Sequence, residues 1–308
     1  MMDNIRWAAM GRIAGWHKKL EALECSCNNA VLLIFTGDNG ISHEHTGSYP
    51  PMQSALIVKE HLEGRSPTAR LLKQMGSSEI IIDVGLANPV DDACIIDYNI
   101  RRGSRNFLYE DALQEAEVLR ALQAGARLWD EMVVSNFDII LIGEIGISDT
   151  LCAAAIASSV TGINPIHLTG KGSGDSKVIE KKVDIISRAM ALRKPQPDSV
   201  TDILMRFGGL EIAALTGFIT RVREKRIPII LDGYVTAVAA LLASCFDSSL
   251  GEYLLVPSLS NQTGHGLIIE RLGLEFLFDM DIDYGEGLAA VLGLHLARLI
   301  KSAWPDNK

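Results

Sequence analysis

The sequence lacks any apolar run long enough to span a bilayer as a helix, so its hydrophobic residues, 48% of 308, are material for a folded core. It also lacks an excess of cations. Lys plus Arg number 29 against 38 Asp plus Glu, a net charge of −9, which excludes broad nucleic-acid or anionic-membrane surfaces. A local pocket for a phosphate needs only a few donors and stays open. Cysteines are few, odd in number and without a C-x-x-C pair: Cys25, Cys27, Cys94, Cys152 and Cys245 read as free thiols of a reducing compartment. No second ligand pair accompanies the C-x-C at 25–27, and neither a metal nor a cofactor is expected. Met1 to Trp16 has no apolar stretch of signal-peptide length, so a cytoplasmic location is expected. GxGxxG, P-loop, HExxH and GxSxG patterns are all missing. His43, His45 and His265 fall in expected loops, and His295 on an apolar helix reads as a packed residue.

What is present is alternation. Apolar runs at Ala30–Thr36, Glu79–Val84, Asp138–Ile142, Ile163–Leu168, Ile227–Leu231 and Tyr253–Val256 predict strands. Helical spacing predicts helices at Ile5–Leu23, Gln53–Leu62, Thr68–Met75, Ala112–Met132, Thr150–Ser158, Ser176–Leu192, Leu210–Lys225, Val235–Ala243 and Gly287–Ile300. The KPQPD stretch, Lys194–Asp198, reads as a loop. This order predicts an α/β fold with a parallel sheet covered on both faces, in a chain too long for one small module. Three strands end in polar, glycine-containing turns, FTGDNG, LIGEIGISD and ILDGY, which a parallel sheet gathers at one edge.

Three segments carry candidate chemistry. In GEIGISDT, a strand end leads through Glu144, Gly146, Ile147, Ser148, Asp149 and Thr150 into an alanine-rich helix. Its start reads either as a simple N-cap or as a cradle for an anion. In GKGSGD, Lys171, Gly172, Ser173 and Gly174 read either as a flexible turn or as an anion-binding backbone. In DYGEG, Glu286 stands between two glycines before the last helix and reads either as a partner of the helix dipole or as a general base.

Taken in order, FTGDNG at 35–40, IGEIGISDT at 142–150, GKGSG at 170–174, GGLEIAALTG at 208–217, ILDGY at 230–234 and YGEG at 284–287 resemble the motifs of the nicotinate-nucleotide:dimethylbenzimidazole phosphoribosyltransferase family of cobamide biosynthesis, over Leu32–Leu299. The resemblance implies a Rossmann-like domain over 29–286. It also implies a small helical domain from 1–28 and 287–308, with part of 41–75. The implied reaction moves phosphoribose from nicotinate mononucleotide to an aromatic base. Glu286 would be its catalytic base, and Glu144, the 146–150 turn, Lys171–Gly174, Asp232 and Gly233 would hold the nucleotide. Asp38, Asn39, Tyr49, Met52, Gln53 and Ile57 would hold the acceptor.

The departures from the family pattern are specific. Asn39 replaces a His, Asp149 and Leu151 replace an Asn and a hydroxyl residue, Asp283 and Tyr284 stand where a cation and a Leu are usual, and Leu288 replaces a Thr. The N-terminal family stretch survives only faintly in GRIAGWHKKLEAL, residues 11–23, and the acceptor stretch SYPPMQSALIV, residues 48–58, is apolar. These features resemble relatives that work as pairs of paralogous chains and accept phenol or cresol as well as benzimidazoles. The implied partner is therefore a paralogous subunit, or a second copy as in ordinary homodimers. A non-catalytic subunit that completes a paralogue's site is the alternative reading.

Overall fold

The computed structural model describes residues 9–134 and 136–304. Its centre is strand β1, Ala30–Gly37, whose residues are all buried because it is hydrogen-bonded on both edges and covered on both faces. Seven parallel strands lie in the order β3-β2-β1-β4-β5-β6-β7: β2 is Ser78–Gly85, β3 Ile95–Asp97, β4 Ile139–Ile145, β5 Ile229–Leu231, β6 Leu254–Ser260 and β7 Phe276–Ile282. Leu33 pairs with Ile80 of β2 on one side and Ile142 of β4 on the other. The chain winds outward from β1 in both directions, so the β1/β4 boundary is the switch point where a crevice opens beyond the carboxyl ends of the strands.

The side chains of β1 alternate between two cores. Val31, Leu33 and Phe35 join one with α4 (Glu115–Val134), α5 (Asp149–Thr161), α6 (Val178–Arg193), α7 (Val200–Phe207), α8 (Leu210–Ile219), α9 (Tyr234–Ser244) and α10 (His265–Arg271). Leu32 and Ile34 join the other, with α1 (Arg12–Ala22), α2 (Ser54–Leu62), α3 (Pro67–Gln74) and α11 (Leu288–Ala303). The helices from 12–22, 54–74 and 288–303 thus form the second layer on one face of the sheet, and α11 packs across β1, β4, β5 and β6.

Five sequence expectations are corrected. Ile163–Leu168 is not a strand but a 3-10 turn at Pro165–His167, because Pro165 has no N–H for a ladder and Asn164 Oδ1 takes the Ile166 N–H instead. The helix expected from Ile5 is observed only from Arg12, and Ile5 to Ala8 lie outside the described residues. The helix expected over 210–225 stops at Ile219 and gives way to a 3-10 turn at Val222–Glu224. His265 is buried at the start of α10, where its Nδ1 accepts the Ser260 N–H at 2.9 Å, and His295 is exposed on α11. Strands β3 and β7 and helices α7 and α10 add to the elements expected from the sequence.

Helices α4 and α8 cross closely enough to require glycine on both. A Cβ on Gly125 would stand 1.8 Å from the Ala214 carbonyl oxygen, and one on Gly217 would stand 2.0 Å from that of Leu122. Gly125→Ala is expected to lower stability by about 1–3 kcal/mol through overpacking. Gly15→Ala, on an exposed stretch of α1 with nothing within 4 Å, is expected to raise it by about 0.5–1 kcal/mol. Chemical denaturation of the two variants checks both signs, and a Gly125→Ala protein as stable as the parent contradicts the packing argument.

Candidate active site

One cleft lies at the carboxyl edge of the sheet, where the turns after β4, β5, β6 and β7 converge with the 46–49 loop and the 172–173 turn. Of the residues expected to bind nucleotide, Glu144, Gly146, Ile147, Ser148, Asp149, Thr150, Gly172, Ser173, Asp232 and Gly233 line it. Lys171 and Gly174 do not. The Lys171 ammonium sits at the rim, 2.9 Å from Asp283 Oδ2, while Asp283 Oδ1 accepts from Gln262 at 2.7 Å. Ser173 Oγ accepts the Ser48 N–H at 3.1 Å, and these contacts draw the two loops together across the cleft mouth.

Of the acceptor expectations, Tyr49 and Ile57 line the cleft, and Asp38, Asn39, Met52 and Gln53 do not. Asp38 is buried and holds backbone: its Oδ1 accepts from Ser54 N at 3.0 Å and its Oδ2 from Ala87 N at 2.9 Å. Asn39 donates to buried Glu211 Oε1 at 2.8 Å. The Met52 carbonyl accepts from Asn88 at 3.0 Å, and Gln53 immediately precedes α2.

Glu286 is placed by a tight backbone turn. It has φ 62° and Gly287 φ 83°, both in the left-handed region, and Gly143 allows the approach because a Cβ there would lie 2.7 Å from Gly287 N. Asp232 anchors the turn from β5. Its Oδ2 accepts the Gly287 N–H at 2.9 Å and its Oδ1 those of Ala289 and Ala290 at 2.8 and 3.3 Å, capping α11. Burial pushes the Asp232 carboxyl up to about 6 against those donors. The Glu286 side chain is held through a single oxygen, Oε2, which accepts from Tyr284 Oη and lies 2.9 Å from His61 Nε2.

Glu144, close to the Gly285 backbone, begins a buried set of ionisable groups. Burial, with the negative charge of Asp149, pushes Glu144 well above the usual carboxylate range, and its Oε2 has no hydrogen-bond partner among the described residues. Burial raises Asp149 too, although Glu144, the Thr150 N–H and Lys182 favour its ionised form. Two buried carboxyls that hydrogen-bond each other share a proton more readily than both ionise. Glu211, also buried, is pushed up to about 8. The cation here is Lys182 on α6, whose Nζ donates to the Lys171 carbonyl at 2.8 Å and whose burial lowers it to about 8. A Cβ on Gly172 would stand 2.9 Å from Lys182 Nζ and 3.1 Å from Thr150 Oγ1, so the ammonium, the hydroxyl and the turn meet around one small space.

Sequence reasoning missed Lys182 and His61. Each left the same faint trace, a polar residue inside an apolar stripe: Lys182 with Ile185, Ile186 and Ala189 on α6, and His61 with Ala55 and Val58 on α2.

This geometry can hold an anion at the Lys182 end, hydrogen-bond hydroxyls at Glu144 and take a proton at Glu286. The DBI_PRT family model, described as Phosphoribosyltransferase, matches residues 8–303. The chain belongs to that family. It is 30% identical over 273 residues to a nicotinate-nucleotide–dimethylbenzimidazole phosphoribosyltransferase of Roseiflexus castenholzii, covering 88% of this chain and 77% of that protein. It is 31% identical over 295 residues to one from Bradyrhizobium diazoefficiens, covering 94% and 84%. The crystal structure of CobT from Thermus thermophilus superposes with a TM-score of 0.89 at 26% identity, covering 95% of this chain and 89% of that one. The chain is thus a phosphoribosyltransferase with the family's parallel α/β fold.

Proposed function

We propose that this enzyme transfers the phosphoribosyl group of nicotinate mononucleotide to an aromatic acceptor, with Glu286 as general base. The observation that carries the reading is the cleft itself, which is lined by both a fixed carboxylate, Glu286, and a buried ammonium, Lys182. The 5′-phosphate would sit between Lys182, Thr150 Oγ1, the Gly172 turn and the start of α5, where the helix dipole favours an anion. Glu144 would accept from the ribose hydroxyls.

The chemistry needs only one base. When the ribose–nitrogen bond breaks, its electron pair stays on the pyridinium nitrogen, which becomes neutral, so the leaving group requires no acid. The acceptor's ring nitrogen or phenolic oxygen forms the new bond at the anomeric carbon from the opposite face. Its proton passes to Glu286 and then to solvent.

On this reading the acceptor is a phenol as well as a benzimidazole, and the presence of Tyr49, Ile57 and Tyr284 with Glu286 in the cleft lining supports an aromatic acceptor. Nicotinate release, measured with 5,6-dimethylbenzimidazole and with p-cresol, tests the proposal for the chain alone and mixed with a paralogous subunit. Release is expected with both acceptors. Release with neither acceptor in either arrangement contradicts the proposal.

A further inference from the structure

The buried ring of His61 touches the proposed base, yet the reaction above leaves it without a task. Its Nδ1 lies 2.9 Å from Glu79 Oε2 and its Nε2 lies 2.9 Å from Glu286 Oε2. The ring is fully enclosed, while the two carboxylates retain 16% and 14% exposure. A neutral imidazole has one donor and one acceptor nitrogen, and an ionised carboxylate can only accept. Both contacts are hydrogen bonds to carboxylates only if both ring nitrogens carry protons. The bridge joins α2, the start of β2 and the β7–α11 loop, which come from distant parts of the chain.

We propose that His61 is a positioning residue for the transfer reaction: as an imidazolium held by Glu79, it pins Oε2 of Glu286 and leaves Oε1 to take the acceptor's proton. The inference rests on Glu286 being the base. Tyr284 donates to the same Oε2, so two donors from different elements fix one oxygen, and the carboxylate has little freedom to rotate. A base held in this way keeps the orientation that proton abstraction requires.

The charge state follows from the neighbours. Burial works against a positive ring, but the hydrogen bonds of Glu286 and Glu79 outweigh it and hold the pKa up to about 9. The ionisable groups facing the ring are Glu79 and Glu286, with Tyr284 bonded to Glu286 and with Glu60 and Tyr49 acting on Tyr284. The clamp is therefore intact at neutral pH, and as pH rises through about 9 the ring is left with one N–H between two carboxylates, so the paired hold on Glu286 is broken. Without the Glu79 charge, the ring deprotonates at lower pH.

Three measurements on the full chain decide the point, in the arrangement that shows activity. Nitrogen-15 spectra of the histidine-labelled wild-type protein at pH 7.5 are expected to show both His61 ring nitrogens protonated, a readout independent of turnover. His61→Gln is expected to lower kcat by about tenfold to a hundredfold, with the donor KM nearly unchanged, because the base is misplaced and the donor's contacts are not. Glu79→Gln leaves the His61 ring in place but removes the charge that holds it protonated, and is expected to move the alkaline limb of the kcat profile down from about 9 toward the ordinary histidine range near ~6.5. A neutral His61 in the wild-type spectrum overturns the proposal, as does a Glu79→Gln profile that matches the wild type. If His61→Gln fails to fold, the spectrum and the Glu79→Gln profile still decide. An active Glu286→Gln enzyme overturns the base assignment itself, whereas an inactive one with wild-type behaviour in both other variants overturns the clamp alone.

Discussion

Glu286→Gln is expected to lower turnover about 10²- to 10⁴-fold while leaving affinity for nicotinate mononucleotide close to that of the parent enzyme. The amide keeps the side chain's shape and can still accept from Tyr284 and His61 through its oxygen. It cannot take up a proton from the acceptor. Turnover would fall because the attacking nitrogen or oxygen must lose its proton as it bonds to the anomeric carbon, and the proposed base, Glu286, is held at the cleft by His61 and Tyr284. In the proposed site the donor's phosphate and ribose would meet Lys182, Thr150 and Glu144, which also line the cleft. Steady-state kinetics with a calorimetric titration of the donor separate the two quantities. A variant with wild-type turnover removes Glu286 from the chemistry.

Lys182→Met and Asp149→Asn are expected to move donor affinity in opposite directions. Lys182 is 3% exposed, and in the proposed site its removal would withdraw a charged hydrogen bond from an enclosed phosphate. Such a bond is worth about 1.5–3 kcal/mol, so the donor KM is expected to rise about tenfold to a hundredfold with a smaller change in kcat. Asp149 places a carboxyl against the same space and competes for the helix N-terminus, taking the Thr150 N–H with its own Oδ1. Its pKa is raised, so it is protonated at low pH and carries its charge once pH exceeds that raised value. Asp149→Asn is therefore expected to bind donor more tightly than the wild type, with an advantage that grows as pH rises. Donor KM measured for both variants across pH 5 to 8 checks the pair. An unchanged KM in Lys182→Met places the phosphate elsewhere.

The central strands were legible because they are buried on both faces. Ala30–Thr36, Glu79–Val84 and Asp138–Ile142 are apolar runs that end in polar turns, and each forms a strand within two or three residues of the expected bounds. Strand β7 was not legible, since an edge strand exposing Phe278 and Met280 beside Asp279 and Asp281 has neither a buried run nor a clean alternation. The stretch 163–168 misled for the reverse reason, as an apolar run in which Pro165 and Asn164 decide the local structure.

At the site, the glycine-bearing turns drew attention to Glu144, Asp149, Asp232 and Glu286, and the parallel topology brings all four to one cleft. The partners of those groups were hidden. His61 meets Glu286 across 225 residues of chain and Lys182 enters the cleft from the middle of a helix, and nothing local marks either as more than a polar residue in an apolar stripe. Asp38 and Asn39 show the converse, since a polar turn after a strand also serves to hold backbone and a buried carboxyl.

The anomeric configuration of the product is the most direct test of the central claim that Glu286 drives a single displacement on nicotinate mononucleotide. Proton NMR of the product formed with 5,6-dimethylbenzimidazole or p-cresol is expected to show the α configuration, inverted from the donor, with one nicotinate released per product. A β product, or nicotinate released with free ribose 5-phosphate and no acceptor adduct, would contradict it.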